Sequence, residues 1–195
     1  MSKKGNNIIG TLFIILVVFI LISIFSISSL KNEDVAKYFN TEDQAGSKIL
    51  YNNLIEITEE NYPTSPDDVV NLYTSGQKLL YGDRIKDTSI VYNILEKQRL
   101  LLSDELISTN PLDEQLNNVL DNMENIKENK VEITDIDLKQ AIQDSKNNKK
   151  AYIKAVKTDN LFQKYYYIYY LELEGDKWKI TGWYNTDENY NILNN

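Results

Sequence analysis

The residues best suited to acid–base chemistry in this 195-residue chain are carboxylates that stand close together in sequence. Three such pairs are the candidates: Asp67 with Asp68, Asp104 with Glu105, and Asp135 with Asp137. Catalysis by two carboxylates requires different environments, with burial raising the pKa of one of them. The first two pairs are better explained as acidic first turns of helices, which complement the helix dipole. The third is better explained as charge on a strand surface, so we expect no catalytic site at these pairs.

Two residue types that carry much of protein chemistry are missing, because the chain has no cysteine and no histidine. It therefore has no disulfide framework, thiol nucleophile or thiolate metal site, and it lacks the commonest general base and metal ligand. Carboxylates alone suit Ca²⁺ or Mg²⁺, but no loop has the spaced oxygen ligands of an EF-hand. The net charge of −8 disfavours nucleic acid as a partner. We expect a protein that is not an enzyme, with no metal and no cofactor.

The sharpest binding hypothesis comes from tyrosines. Residues 161–184 are rich in aromatic and β-branched side chains, which are typical of strands. Alternation places Tyr165, Tyr167 and Tyr169 on one face of a strand, and Trp183 is expected on the neighbouring strand. This face is a candidate site for stacking on sugar rings or for receiving an apolar peptide. Alternatively, the same residues are core, or they pack under a neighbouring segment or at a self-interface.

The same segment reads as a β-hairpin whose turn lies at residues 174–177. Gly175 can take the positive φ that a tight hairpin turn requires. In the second strand, simple alternation predicts that Trp178, Ile180 and Tyr184 share one face, with Gly182 among them.

Residues 8–30 are uncharged and predominantly apolar, and about 20 helical residues cross the roughly 30 Å hydrocarbon layer. Lys3 and Lys4 precede this stretch, so the positive-inside rule predicts a cytoplasmic tail at residues 1–7 and an extracytoplasmic C-terminal domain. The competing interpretation is a cleaved signal peptide, although the apolar run is longer than usual for one. We expect a single-pass protein of the plasma membrane, anchored by Ile8 to Leu30.

The soluble part divides into a connector or stalk at residues 31–60 and a domain at residues 61–195. Within the connector, residues 34–39 could form a short helix, and residues 49–57 a helix or an early strand. Three amphipathic helices are predicted to begin near Ser65, Asp87 and Asn110, and a short continuation follows the second. The pattern then becomes alternating, with one strand over about residues 131–144 and another over 151–157 before the hairpin.

Helices followed by antiparallel strands predict an α+β fold, with about three helices packed on one face of a sheet of about four strands. This outline is also that of the cone-shaped NTF2-like or cystatin-like folds, in which a curved sheet wraps helices and can leave a pocket. The likeness is one of fold alone.

Short motifs in the domain resemble an uncharacterised family of small single-pass clostridial membrane proteins. They are NYPTSP at 61–66, VV at 69–70, LY at 72–73, SDELI at 103–107, NP at 110–111 and KWKI at 177–180. The resemblance covers residues 61–183 and implies a membrane-anchored NTF2-like domain of unknown function, with no catalytic residues. Asp67 departs from the pattern, which often has a basic residue there.

These observations lead to three hypotheses about function. The first is a non-catalytic interaction or scaffolding module of the cell envelope, with a protein partner or self-association. The second is a pocket for a small molecule or glycan, or a weak carboxylate-dependent enzyme. The third is an NTF2-like assembly component of a secretion or conjugation system.

Overall fold

The computed structural model describes residues 35–40 and 43–193. The chain divides into two units, residues 1–35 and 36–195, and all described residues except Val35 belong to the second. The predicted tail at 1–7 and the predicted transmembrane helix at 8–30 lie outside the described residues. Among the residues described, no helix has both the length and the apolar character needed to span a membrane.

The described chain contains five α-helices ahead of the strands. A 3-10 helix at Val35–Tyr38 precedes α1 (Gln44–Ile55) and α2 (Pro66–Tyr81), and a second at Thr88–Ile90 runs into α3 (Val91–Arg99). The series ends with α4 (Asp104–Thr109) and α5 (Leu112–Asn129). The 49–57 segment, for which helix and strand were both open, is largely helical because it overlaps α1.

Helix starts follow the capping signals in the sequence. The hydroxyl of Ser65 accepts a hydrogen bond from the backbone N–H of Asp68 at 3.1 Å, and Pro66 opens α2. Ser103 caps α4 in the same way, through the backbone N–H of Leu106. Both caps satisfy backbone donors that have no partner within the helix.

The strands form an antiparallel sheet, which confirms the α+β class. They are β1 (Ile133–Leu138), β2 (Ile142–Asp144), β3 (Asn147–Asp159), β4 (Lys164–Glu174) and β5 (Lys177–Thr186). The order is β1-β3-β4-β5, and β2 also pairs with β3. Gly175 has φ +65° in the β4–β5 turn, as predicted.

The single strand predicted over 131–144 is wrong, because β1 and β2 are separate strands that both pair with β3. Between them, the backbone N–H of Ala141 donates to Asp67 Oδ1 at 2.8 Å. The chain therefore leaves the sheet to bond the first turn of α2. Asp67 is a structural contact here rather than an isolated surface charge.

The sheet has an inner face, on which the helices pack, and an outer face. Cross-strand pairs share a face, so Ile153, Tyr169 and Trp183 lie together on the inner face, and Tyr152, Tyr170 and Gly182 on the outer face. Ring contacts between α2 and the sheet identify the inner face, since Tyr73 lies 6.0 Å from Tyr169, edge to face. The predicted grouping of Tyr165, Tyr167 and Tyr169 on one face agrees with this register.

The predicted alternation in β5 is wrong beyond Ile180. A register shift occurs where Leu171 pairs with Ile180 while Tyr170 pairs with Gly182. The extra residue, Thr181, forms a β-bulge and reverses the alternation that follows. Trp183 therefore joins Trp178 and Ile180 on the inner face, and Tyr184 points to the outer face.

Helix α2 approaches α3 closely at Gly76. A Cβ built at Gly76 would lie 2.6 Å from the side-chain amide of Gln98. Gln98 is buried and its Nε2 donates to the backbone carbonyl of Tyr73 at 2.7 Å. The glycine thus allows the helix–helix contact that holds one wall of the site described next.

Candidate ligand pocket

A pocket of about 430 Å³ lies between the helices and the inner face of the sheet. This volume falls within the range of small-molecule sites. Helices α2, α3, α4 and α5 supply the helical wall, and strands β3, β4 and β5 supply the sheet wall. The residues on which the site depends are Tyr73, Gln77, Tyr81, Gln98, Glu114, Gln115, Lys157, Tyr167, Trp183 and Asn185.

Aromatic rings form one side of the pocket. Tyr73 stands 5.7 Å from Trp183, centroid to centroid, and Trp183 stands 6.3 Å from the buried Tyr169 beneath it. Burial raises the pKa of Tyr73 and of Tyr167, so both phenols stay neutral over the physiological range. The rings offer apolar faces together with neutral hydroxyl groups.

Amide side chains supply fixed polar groups. Gln77 Oε1 accepts a hydrogen bond from the Tyr169 hydroxyl at 2.9 Å. Arg99 braces the rim, because its guanidinium donates to Gln115 Oε1 at 3.1 Å and to the backbone carbonyls of Ile107 and Asn110. These contacts hold the loop between α4 and α5 against α3. The pocket is therefore held in shape by the fold.

Lys157 on β3 carries the charge of the pocket. Its ammonium lies 4.2 Å from the centroid of the Tyr167 ring, and no carboxylate in the described chain forms an ion pair with it. Burial lowers the pKa of Lys157 to about 8, since the charged form loses water without gaining a counter-ion. Although the residue as a whole is half-buried, its amine is largely desolvated.

The predicted aromatic set divides into three environments. Tyr167 and Trp183 line the pocket, so two of the four residues meet there. Tyr169 is 0% exposed and forms the floor beneath the ring of Trp183. Tyr165 lies at the end of the row, where its hydroxyl donates to Asp159 Oδ2 at 3.0 Å.

The sequence did not lead us to Lys157, or to the side-chain amides of Gln77, Gln98 and Gln115, as residues of the pocket. A signal was present for the lysine, since Ala151, Ile153 and Ala155 alternate as buried residues and Lys157 is the next inner-face position. A lysine at the end of such an apolar row is a departure from the pattern. The amides gave no comparable signal, because their positions depend on how the helices pack.

The three carboxylate pairs do not meet at this site. Asp135 pairs with Lys78 at 3.1 Å, which lowers the pKa of Asp135, and Asp137 pairs with Lys139 at 2.7 Å. Asp104 and Glu105 lie in the exposed first turn of α4. Within residues 35–40 and 43–193, no group of three or more acidic side chains is placed to hold a metal ion.

A second, larger concavity of about 800 Å³ lies on the outer face. Tyr170 stands 5.6 Å from Tyr184 and 6.4 Å from Tyr152, so the rings form a row across three strands. Tyr184 is 52% exposed, and Ile142 and Ile192 at the edges are 45% and 46% exposed. We call this surface the outer groove.

Comparisons with curated proteins and with solved structures found no match. A family model matches residues 1–183, which confirms the expectation of a family without an assigned function. Because the match spans almost the whole chain, the protein belongs to the family described as a domain of unknown function (DUF6715).

Proposed function

We propose that the domain binds a small molecule in the pocket between its helices and the inner face of the sheet, without catalysing a reaction. The observation that carries this proposal is the 430 Å³ pocket, with aromatic rings on one side and fixed amides on the other. Rings and amides together suit a ligand with a flat or apolar part and several hydrogen-bonding groups. The dispersed carboxylate pairs support binding over acid–base chemistry.

In this proposal the domain is the extracytoplasmic part of a single-pass membrane protein of clostridial type. The lysines before residues 8–30 and the uncharged character of that stretch support the orientation. Helices on one face of an antiparallel sheet, with a pocket between them, support an NTF2-like or cystatin-like cone. Such a protein would hold a ligand at the outer surface of the membrane.

Blocking the pocket provides the test. Asn185 is an exposed residue at the pocket edge and is paired across the strands with Tyr167, so Asn185→Trp should fill the space without disturbing the core. Asn189→Trp, on the exposed segment after β5, is the matched control. The full-length chain in nanodiscs is screened against aromatic and glycan fragments by thermal shift.

We expect some fragments to raise the melting temperature of the wild type and of the Asn189→Trp variant but not that of the Asn185→Trp variant. Ligand binding to the folded state raises the melting temperature, and the stabilisation grows with the logarithm of ligand concentration over Kd. Protection that is equal in all three proteins, or absent from all three, would count against a ligand in this pocket.

The second candidate function is an interaction module of the cell envelope, and the outer groove favours it. Its row of tyrosines runs from the half-buried Tyr152 and Tyr170 to the exposed Tyr184 and passes Gly182, where an added Cβ would meet no atom within 4 Å. The chain carries a net charge of −8, so the complementary occupant is an extended segment of a partner protein with basic and apolar residues.

A photo-crosslinking amino acid in place of Tyr184 tests this function in cells. Tyr92 on α3 is 43% exposed and provides the control position. The expected result is a crosslink from the Tyr184 position alone, to a mapped peptide with basic and apolar residues. A crosslink to a second copy of the chain, or the same crosslinks from both positions, would refute it.

A further inference from the structure

Lys157 is a half-buried residue whose largely desolvated ammonium lies at the pocket and has no ion-pair partner in the described part of the chain. An unpaired charge away from water is unfavourable unless something compensates it. The Tyr167 ring, 4.2 Å from the ammonium, offers a cation–π contact, which compensates only in part.

The rest of the pocket lining does not neutralise this charge. Glu114, on the first turn of α5, is the one carboxylate among the described residues that line the pocket, and it is exposed. Burial raises the pKa of Tyr73, Tyr81 and Tyr167, so these phenols are neutral near pH 8. Apart from the exposed Glu114, the described lining therefore presents one desolvated positive charge among neutral donors and acceptors.

We propose that the ligand of this pocket is a small aromatic carboxylic acid, whose carboxylate pairs with the Lys157 ammonium and whose ring packs beside Tyr167 and Trp183. This inference rests on the proposed pocket function and names the class of ligand. A carboxylate beside Lys157 supplies the missing counter-ion. In the complex, a charge-assisted hydrogen bond between the carboxylate and the ammonium then offsets the unfavourable desolvation of the lysine.

The charge and size of the pocket favour a monoanion. A phosphate monoester brings close to two negative charges at neutral pH, whereas the described residues that line the pocket include one cation, Lys157, and Glu114 repels the excess negative charge. The volume of 430 Å³ equals that of about fourteen water molecules at liquid density, which accommodates one ring and a short acidic side chain.

The test uses matched acids and amides that differ in charge but hardly in shape. The probes are phenylacetate, 4-phenylbutanoate and indole-3-acetate, each beside its primary amide. Binding to the full-length chain in phosphatidylcholine nanodiscs is measured by calorimetry, with empty nanodiscs as the blank. We expect at least one acid to bind tenfold or more tightly than its amide.

Two variants assign the difference to Lys157. Lys157→Met removes the charge, and Lys154→Met is the matched control, since Lys154 lies on the same strand and contacts the Tyr190 ring at 4.4 Å on the outer face. The preference for acids should fall below twofold in Lys157→Met and remain in Lys154→Met. An unchanged preference in Lys157→Met would overturn the assignment.

A measurement on the wild type keeps the proposal testable if the variant fails to fold. Calorimetry at pH 8 in buffers of different ionisation enthalpy counts the protons taken up on binding. The pKa of Lys157 is about 8, so an acid that pairs with it should draw in up to about half a proton, and an amide none. No uptake with a bound acid at any pH between 8 and 10.5, the range in which Lys157 titrates, would refute the ion pair.

The outcomes separate this inference from the pocket function on which it rests. Equal binding of acids and amides, abolished by Asn185→Trp, would keep the pocket and reject the acidic ligand. Binding of neither class, with no fragment protected in the blocking experiment, would reject both. An aldehyde fragment trapped on Lys157 by borohydride, in the absence of any preference for acids, would also overturn the ion pair in favour of imine chemistry.

Discussion

Replacement of Lys157 by methionine should stabilise the fold at neutral pH. Methionine keeps a long, flexible side chain but removes a cation that burial disfavours. The pKa of Lys157 lies at about 8 in the folded chain, against an ordinary value of 10.5. This difference corresponds to about 3 kcal/mol of stability lost at pH 7.

The net gain in stability of the Lys157→Met variant should be smaller than the full free energy that corresponds to the pKa difference. The side chain is half-buried, so water screens part of the penalty, and methionine forfeits the ring contact with Tyr167, worth about 0.5–2 kcal/mol. We expect the variant to be more stable by about 1–2 kcal/mol. For a chain of this length, the melting temperature should rise by about 2–8 °C.

The sign of the pH dependence makes the prediction specific. Between pH 8 and pH 10.5 the unfolded chain keeps the Lys157 proton while the folded chain releases it. The unfolded state then binds more protons, so this group makes the wild type more stable as pH rises. The advantage of Lys157→Met is therefore full below pH 8 and disappears towards pH 10.5.

Thermal unfolding of the full-length chain in a non-ionic detergent, followed by tryptophan fluorescence, measures the effect. Both tryptophans of the chain, Trp178 and Trp183, lie in β5 and report on the sheet. Lys154→Met serves as the control, and the difference in melting temperature between this variant and the wild type should not change between pH 7 and pH 10.5. A Lys157→Met variant less stable than the wild type at pH 7, with a difference independent of pH, would refute the reasoning.

Substitutions at four further positions test contacts that shape the fold and its pocket; the first three positions are tested by denaturant unfolding of the full-length chain and the fourth by fragment binding. Gly76→Ala should destabilise by about 1–3 kcal/mol, because the added methyl group overlaps the buried side chain of Gln98; unchanged stability would show that this side chain can move aside without cost. Ser65→Ala should cost about 1 kcal/mol through loss of the α2 cap, whereas Ser65→Thr should largely restore it, because its hydroxyl can accept from the Asp68 N–H and donate to Asp68 Oδ2 as Ser65 does. Tyr169→Phe should cost about 1–3 kcal/mol, since it leaves a buried amide oxygen without its donor. Arg99→Met should weaken binding of any fragment that needs the pocket rim, and equal affinities would show that the rim is held by other contacts.

The fold was largely predictable because its signals are local. The cap at Ser65, the change from helical to alternating pattern near residue 130, and the turn glycine at Gly175 each act within a few residues. The structure departs from prediction where a distant partner intervenes. Asp67 draws the backbone at Ala141 out of the sheet across 74 positions of sequence, so one predicted strand becomes two.

The same distinction explains the site. Alternation correctly placed Tyr165, Tyr167 and Tyr169 on one face, but it could not say which ring faces open space and which is floor. Whether a ring lines the pocket or lies beneath it depends on α2. Gln77 on α2 accepts a hydrogen bond from the Tyr169 hydroxyl and so fixes the Tyr169 ring beneath the pocket. The bulge at Thr181 did have a local signal, the isolated Gly182 inside the strand pattern, and it turns Tyr184 towards the outer groove.

Lys157 connects the sequence pattern, the stability of the fold and the proposed ligand. A lysine at the end of a buried apolar row weakens the domain when the pocket is empty, and natural sequences tolerate such weakness mainly where function requires it. If Lys157 were only structural, an inner-face methionine or leucine would serve better, and an ion-pair partner would be expected beside it. The described chain places the Tyr167 ring beside this ammonium, and aromatic rings and amides along the pocket, but no counter-ion, so the counter-ion is expected to arrive with the ligand.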